Sequence, residues 1–302
     1  DLHSGERLRH LLGHTSTVRC VEICGDMIVS GSRDGTLRVW SLEGGECLHL
    51  LQGHTASVRC LCVGPTPETI VSGSYDNTCK LWHLVTGVCM RTFTGHTNKV
   101  YAVSSTSEHI YSGSLDGTVR AWDPLSGFSV KKFEGHRSLV GLVLSKEHLL
   151  KDSVVTGSTD GSLQLIKRNS FDDSFESTIL PTAHPTSITS LDFNRNFLVT
   201  GSEGVVRLWS LQESSESSVA PPRLLANLIE SVDMVWRVNV SDHLACIAYQ
   251  FQGLTRLAVF NFAPQPQQVL IEMRAFKTSV ISVNTTPGGA SYHQNYYHYQ
   301  QQ

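Results

Sequence analysis

Residues 13–40 read GHTSTVRCVEICGDMIVSGSRDGTLRVW, and this stretch decides the fold. Apolar and polar side chains alternate in VRCVEI and in MIVSGS, which is typical of half-buried β-strands. The Asp34–Gly35 pair suits a tight turn that needs a positive φ, and LRVW supplies a third strand. The stretch therefore predicts short antiparallel strands joined by tight turns.

The stretch is one of a series of repeats along the chain. The pair Gly-His recurs at 13–14, 53–54, 95–96 and 135–136, with histidine separations of 40, 42 and 40 residues, and a divergent Ala-His follows at 183–184. Turn sequences recur in step: SGSRDG at 30–35, SGSYDN at 72–77, SGSLDG at 112–117 and TGSTDG at 156–161. Tryptophan ends LRVW at 37–40, CKLW at 79–82, VRAW at 119–122 and VRLW at 206–209. A period of about 40–45 residues with these marks is the signature of a WD-repeat β-propeller.

The sequence predicts an all-β fold with six repeat units. Four begin at Gly13, Gly53, Gly95 and Gly135, and a fifth runs from about 183 to 228. A degenerate sixth unit holds VDMVWRVNV, HLACIAYQ and TRLAVFNF. Each unit is a blade of four short strands, and a blade cannot bury both of its faces. Neighbouring blades are therefore expected to stack around an axis.

The repeats also divide the chain. DLHSG at 1–5 matches DPLSG at 123–127, which directly follows Trp122. We therefore expect residues 1–12 to be the outer strand of an upstream blade, residues 13–284 to be propeller blades, and residues 285–302 to be a disordered polar tail. Either the six blades close into a ring by using that first strand, or further blades precede them.

A histidine, a serine, an aspartate and a tryptophan recur once per repeat. The complete sets are His14, Ser30, Asp34 and Trp40; His54, Ser72, Asp76 and Trp82; and His96, Ser112, Asp116 and Trp122. The fourth repeat has His136, Thr156 and Asp160, with Ile166 in place of tryptophan. Hydrolase triads use similar residues, but a catalytic set is not repeated in every blade. We interpret these residues as a structural hydrogen-bond network and predict no catalytic residue.

Composition and charge argue against several other kinds of partner. The net charge of -3 argues against a nucleic-acid partner. None of the eight cysteines forms a CxxC pair, so the sequence predicts no metal site and no cofactor. No run reaches the roughly 18 apolar residues of a membrane-spanning helix, so no membrane partner is expected.

Three arginines occupy positions where folding demands no cation. Arg19 and Arg59 stand at the entry of a first strand, and Arg33 precedes the turn aspartate. In a propeller these positions face the central surface of the ring. The other residues that alignment of the repeats places on this surface include Thr17, Ser57, Tyr75, Lys99, Tyr101 and Trp236. Guanidinium groups bind phosphate and carboxylate, so the sequence predicts an anion pocket for an acidic or phosphorylated peptide. The alternative is that the arginines pair with acids on the rim.

The arginine positions carry a more specific resemblance. HTSTVRC with SGSRDGTLRVW, then HTASVRC, SGSYDN, HTNKVY and SGSLDGTVRAW, resemble the F-box and WD-repeat substrate receptors of cullin-RING (SCF) ubiquitin ligases, closest to those that bind phosphodegrons in cell-cycle proteins. The resemblance implies that Arg19, Arg33 and Arg59 contact the degron phosphate. It also implies that Thr17, Tyr75, Tyr101 and Trp236 line the pocket. Receptors of this family carry eight blades, so the six units here would be the last six.

The resemblance implies a substrate adaptor without catalysis of its own. Its partners would be phosphorylated proteins with Ser/Thr-Pro degrons and the SCF scaffold, the latter through an F-box absent from this chain, and its location the nucleus, with the cytoplasm as a further site. The family can place another arginine in the last blade, where this chain has Phe251. Two alternatives stay open: a WD-repeat interaction scaffold for acidic, unmodified partners, and a propeller that binds RNA or phosphoinositides.

Overall fold

A computed structural model describes residues 6–150, 152–169, 171–211 and 221–262, together with the backbone of 279–282. All regular structure in these residues is β-strand, which confirms the predicted all-β class. Within these residues there is no helix of the length and apolar character that crossing a membrane requires. The chain divides into two compact units, Asp1–Ala183 and His184–Gln302.

The first unit holds four antiparallel sheets of four strands each, and the strands follow one another in chain order. Sheets one and two comprise Val18–Cys24 (β1), Met27–Ser32 (β2), Leu37–Ser41 (β3), Cys47–Leu51 (β4), Val58–Val63 (β5), Thr69–Ser74 (β6), Cys79–His83 (β7) and Val88–Phe93 (β8). Sheets three and four comprise Val100–Ser105 (β9), Ile110–Ser114 (β10), Val119–Trp122 (β11), Ser129–Phe133 (β12), Val140–Ser145 (β13), Ser153–Ser158 (β14), Leu163–Arg168 (β15) and Phe175–Leu180 (β16).

The second unit holds two further sheets with the same strand order. Their strands are Ile188–Phe193 (β17), Phe197–Ser202 (β18), Gly204–Ser210 (β19), Arg223–Val232 (β20), Met234–Val240 (β21), Leu244–Phe251 (β22), Leu254–Asn261 (β23) and Ser279–Ser282 (β24). The six predicted units thus correspond to six four-stranded sheets. The fold is that of a WD-repeat β-propeller.

Glycine in the second strand lets neighbouring sheets approach closely. A Cβ on Gly31 would lie 2.7 Å from Val58 Cγ1, and a Cβ on Gly73 would lie 2.7 Å from Val100 Cγ1. The same close approach occurs in the second unit, where a Cβ on Gly201 would meet Val235. These valines begin or nearly begin the first strand of the next sheet. The glycine of each SGS or TGS sequence therefore has a packing role as well as a place in the strand.

The first strand of every sheet contains a β-bulge at the same position. One residue there has no partner in the ladder with the second strand. These residues are Arg19, Arg59, Tyr101, Gly141, Thr189 and Trp236. A bulge changes the direction of a side chain without ending the strand. The side chain at this position therefore departs from the in-and-out alternation of the rest of the strand.

The structure describes part of both chain ends. Of the outer strand expected over residues 1–12, residues 6–12 lie in no strand, and Arg9 donates side-chain hydrogen bonds to the carbonyls of Glu43 and Gly44 at 3.2 Å each. The fourth strand of the sixth sheet is Ser279–Ser282, which pairs with β23. The tail predicted over 285–302 lies outside the described residues.

Candidate functional site

The repeated polar residues form one hydrogen-bonded chain in each of the first three sheets. Histidine Nε2 bonds the serine Oγ at 2.8 Å in His14–Ser30, 2.8 Å in His54–Ser72 and 2.7 Å in His96–Ser112. Histidine Nδ1 bonds the turn carboxylate at 2.9 Å in His14–Asp34, 2.7 Å in His54–Asp76 and 2.8 Å in His96–Asp116. Tryptophan Nε1 donates to the same serine at 2.8 Å in Trp40–Ser30, Trp82–Ser72 and Trp122–Ser112.

The direction of each bond follows from the charge on the aspartate. Burial alone would raise the pKa of the Asp34, Asp76 and Asp116 carboxyls, but hydrogen bonds from threonine, histidine and the backbone outweigh it and hold each pKa well below its usual range. The carboxylate therefore accepts from histidine Nδ1–H. Histidine Nε2 then accepts from the serine hydroxyl, whose oxygen accepts from tryptophan. Ser72 and Ser112 are completely buried, so these hydroxyls brace the sheet and meet no substrate.

Sheets four and five vary this chain. His136 Nε2 bonds Thr156 Oγ1 at 2.8 Å, but no tryptophan reaches this hydroxyl because position 166 is isoleucine. In sheet five His184 Nε2 bonds Thr200 Oγ1 at 2.6 Å and Ser202 takes the place of the aspartate. Burial lowers the pKa of His136 to about 4 and that of His184 to about 3. Both imidazoles are neutral at neutral pH.

A second set of positions lies at the edge of the sheets where the turn before each third strand meets the start of the first strand. Backbone hydrogen bonds join the two at 2.8 Å from Arg33 N to Thr17 O, 2.9 Å from Tyr75 N to Ser57 O and 2.9 Å from Leu115 N to Lys99 O. The bulge residue follows two positions later. We call this the arginine edge; it comprises Thr17, Arg19, Arg33, Ser57, Arg59, Tyr75, Lys99 and Tyr101.

The three arginines of this edge have no acidic partner among the described residues. Arg19 and Arg33 are exposed and Arg59 is half-buried. Among the described residues, none of the three guanidinium groups forms an ion pair or a hydrogen bond. Asp34, which follows Arg33 directly in the sequence, is already held by His14 and Thr36. The pairing with rim acids that the sequence left open does not occur in this part of the chain.

The structure brings Tyr75 and Tyr101 together beside Arg59. Their ring centroids are 5.0 Å apart, and the Arg59 guanidinium lies 5.7 Å from the Tyr101 ring. A hydrogen bond to Tyr75 and partial burial raise the pKa of Tyr101, while the charges of Arg59 and Arg19 act in the opposite direction. Arg19 and Arg59 occupy the bulge positions of β1 and β5, which pack together.

Two more residues, Thr17 and Trp236, were predicted for the pocket. Thr17 is exposed at the arginine edge, where its carbonyl accepts from Arg33. Trp236 belongs to the second unit, where it is the bulge residue of β21 and is 54% exposed. In the same unit Phe251, which stands where the resembling family can have arginine, packs against the Arg256 guanidinium at 4.6 Å.

Two further residues of the arginine edge have no role in the predicted pocket, although alignment of the repeats places them on this surface. The Lys99 ammonium lies 5.1 Å from the Tyr75 ring. Ser57 is 9% exposed, and its hydroxyl has no hydrogen-bond partner among the described residues. Both occupy the position that Thr17 has in the first repeat.

Comparison with known proteins agrees with the fold. The family model "WD domain, G-beta repeat" matches residues 5–41, 45–83, 87–123 and 176–210. The chain is a WD-repeat protein. Among solved structures, this WD-repeat protein is similar to the computationally designed Ika8 protein, with a TM-score of 0.65 and 23% sequence identity over 83% of this chain and 86% of that one. At that identity the likeness shows the fold alone.

The arrangement suits binding of a partner rather than catalysis. WD-repeat propellers are protein-interaction scaffolds, and the arginine edge offers fixed cations and aromatic rings on a rigid set of strands. No group of three or more His, Cys, Asp or Glu side chains able to hold a metal ion occurs among the described residues. The chemistry available at the arginine edge is recognition of an anion.

Proposed function

We propose that the arginine edge binds phosphorylated Ser/Thr-Pro segments, and that the protein is the substrate-recognition module of an SCF-type E3 ubiquitin ligase. The observation that carries the proposal is the set of three arginines, Arg19, Arg33 and Arg59, that have no acidic partner in the described structure. Arg19 and Arg59 lie on the first strands of two sheets that pack together, so their like charges repel one another, and an arriving phosphate removes that cost.

The aromatic residues support a peptide rather than a free anion as the ligand. Tyr75 and Tyr101 are half-buried and present ring surface next to the arginines. Tyrosine rings of this kind pack against proline and aliphatic side chains. A phosphate flanked by proline or leucine matches both the charge and the apolar surface.

The direct test is a fluorescence anisotropy titration of a labelled Leu-Leu-phosphoThr-Pro-Pro peptide and of its unphosphorylated form. We expect binding that requires the phosphate. Replacement of Arg19, Arg33 or Arg59 by alanine removes a charge-assisted hydrogen bond of roughly 1.5–3 kcal/mol. Each change should weaken binding about 10- to 100-fold.

Arg91 supplies the matched control. It lies in the same sheet as Arg59 but on the outer strand β8, where it donates to the Leu125 carbonyl at 2.8 Å. The Arg91→Ala protein should bind as wild type does. Equal binding of the two peptides, or full affinity in all three arginine variants, would contradict the proposal.

The second candidate is an interaction scaffold for acidic, unmodified partners. It is favoured by the same arginines, since a guanidinium also binds a carboxylate. Replacement of phosphothreonine by glutamate separates the two candidates: the scaffold would bind both peptides alike, whereas a phosphodegron receptor would prefer phosphate.

The ligase assignment adds further partners to the proposal. The SCF scaffold would dock through an F-box outside this chain, and the substrates would be phosphorylated proteins of the nucleus, with the cytoplasm as a further site. Ubiquitin transfer to a phosphorylated substrate, reconstituted with full-length receptor and with its Arg59→Ala variant, tests this part. Equal transfer by both receptors would overturn it.

A further inference from the structure

Four side chains of the arginine edge form a stack of two cations and two rings. Tyr75 and Tyr101 lie against each other at 5.0 Å with an interplanar angle of 38°. Arg59 lies 5.7 Å from the Tyr101 ring, and Lys99 lies 5.1 Å from the Tyr75 ring. Each cation thus contacts a different ring of the pair, and Lys99 extends the positive edge from the second sheet to the third.

The backbone around Lys99 is fixed. Its carbonyl accepts from Leu115 N at 2.9 Å, and its amide donates to Asn98 Oδ1 at 2.9 Å. Ser114 Oγ donates to the Asn98 carbonyl at 2.9 Å. The ammonium group is therefore presented from a rigid support, which lowers the entropy that binding a ligand would cost.

The positive charge of Lys99 is available to bind an acidic group of a ligand. Lys99 is exposed and forms no ion pair with a described residue. Its contact with the Tyr75 ring orients the ammonium but leaves its net charge in place. An ammonium group is a compact cation that suits a single carboxylate, whereas the guanidinium fork of Arg59 suits the oxygens of a phosphate.

We propose that Lys99 determines specificity by binding a carboxylate side chain of the same peptide whose phosphate the arginines hold. This inference rests on the proposed phosphopeptide function and deepens it. The preferred partner segment then carries two different negative groups, a phosphate and, beside it, an aspartate or glutamate. The Tyr75–Tyr101 pair connects the two binding groups, because Lys99 contacts the Tyr75 ring and Arg59 contacts the Tyr101 ring.

The test is a peptide series built on the phosphothreonine peptide, in which one flanking position at a time carries glutamate or glutamine. At one position we expect glutamate to bind about 2- to 5-fold tighter than glutamine, which is the range of an exposed ion pair. The ratio should shrink when the ionic strength rises, because salt screens exposed charges.

Substitutions of Lys99 test whether this residue causes the preference for glutamate over glutamine. Lys99→Gln should bring the glutamate-to-glutamine ratio to one while the requirement for phosphate stays. Lys99→Arg should keep the preference, and Lys99→Glu should favour lysine at the same peptide position. Lys131, exposed on the outer strand β12 of the same sheet, is the matched control, and Lys131→Gln should keep the wild-type ratio.

The outcomes separate the two proposals. If phosphate is required but no flanking glutamate helps, or if the preference survives in Lys99→Gln, the role of Lys99 is refuted and the phosphopeptide function stands. If binding does not depend on phosphate, the proposed function fails and the role of Lys99 fails with it.

Discussion

Replacing Ser72 by alanine tests whether the polar chain inside each sheet stabilises the protein. The Ser72 hydroxyl bonds His54 Nε2 at 2.8 Å and accepts from Trp82 Nε1 at 2.8 Å. Ser72 is completely buried, and its partners are 8% and 1% exposed. Water cannot replace the lost hydroxyl at this depth, so the substitution leaves two buried polar groups without partners.

The expected magnitude follows from that count. A buried polar group that loses its partner costs roughly 1–3 kcal/mol, so the two groups left by Ser72→Ala should lower the free energy of unfolding by about 2–6 kcal/mol. Thr156→Val is the matched comparison, because Thr156 bonds His136 but receives no tryptophan. Thr156→Val leaves one buried polar atom, His136 Nε2, without its partner and should lower the free energy of unfolding by about 1–3 kcal/mol. Ser72→Thr should be tolerated, since Thr200 bonds both His184 and Trp209 in sheet five.

Urea unfolding followed by circular dichroism measures these differences. The slope rises with protein size, so with about 3 kcal/mol per molar urea, the upper end of the typical range, Ser72→Ala should lower the midpoint by about 0.7–2 M and Thr156→Val by less. If Ser72→Ala unfolds at the wild-type midpoint, or if Thr156→Val costs as much, the number of orphaned polar groups does not set the loss of stability and the reasoning is wrong.

Two further predictions concern pH and packing. Burial lowers the pKa of His136 to about 4 and of His184 to about 3, whereas histidine in an unfolded chain titrates near about 6.5. The unfolded state therefore binds more protons below about pH 6.5, so the stability that these neutral histidines contribute falls as pH drops toward 4. The urea midpoint should decrease between about pH 7 and pH 5, and less so in a His136→Gln variant; an equal decrease in both proteins would exclude His136 as a source. Gly73→Ala would place a Cβ 2.6 Å from Cys60 Sγ and 2.7 Å from Val100 Cγ1 and should destabilise the protein by about 1–3 kcal/mol. Gly141→Ala, with no atom within 4 Å of the new Cβ, should unfold within about 0.5 kcal/mol of wild type, and equal losses in the two variants would count against the packing argument.

The repeats in the sequence predicted much of the fold and part of the arginine edge. The period located each sheet, and the Asp-Gly turns located the hairpins, because both signals are local in the chain. Alignment of the repeats placed Arg19, Arg59 and Tyr101 at equivalent positions. It did not reveal that these residues are bulges, since a bulge depends on how two strands pair. The Lys99 contact with Tyr75 was also beyond the alignment, because it joins the third sheet to the second.

The sequence by itself determined the class of fold, the repeat boundaries and the polar residues that brace each sheet. These features depend on residue spacing and on the alternation of apolar and polar residues, and both recur from one repeat to the next. Only the tertiary structure decided that Gly73 makes room for Val100 and that Tyr75 contacts both Tyr101 and Lys99. Each of these arises where neighbouring sheets pack, between residues that are distant in the chain. No pattern within one repeat specifies such a contact, because its geometry is set by both sheets together.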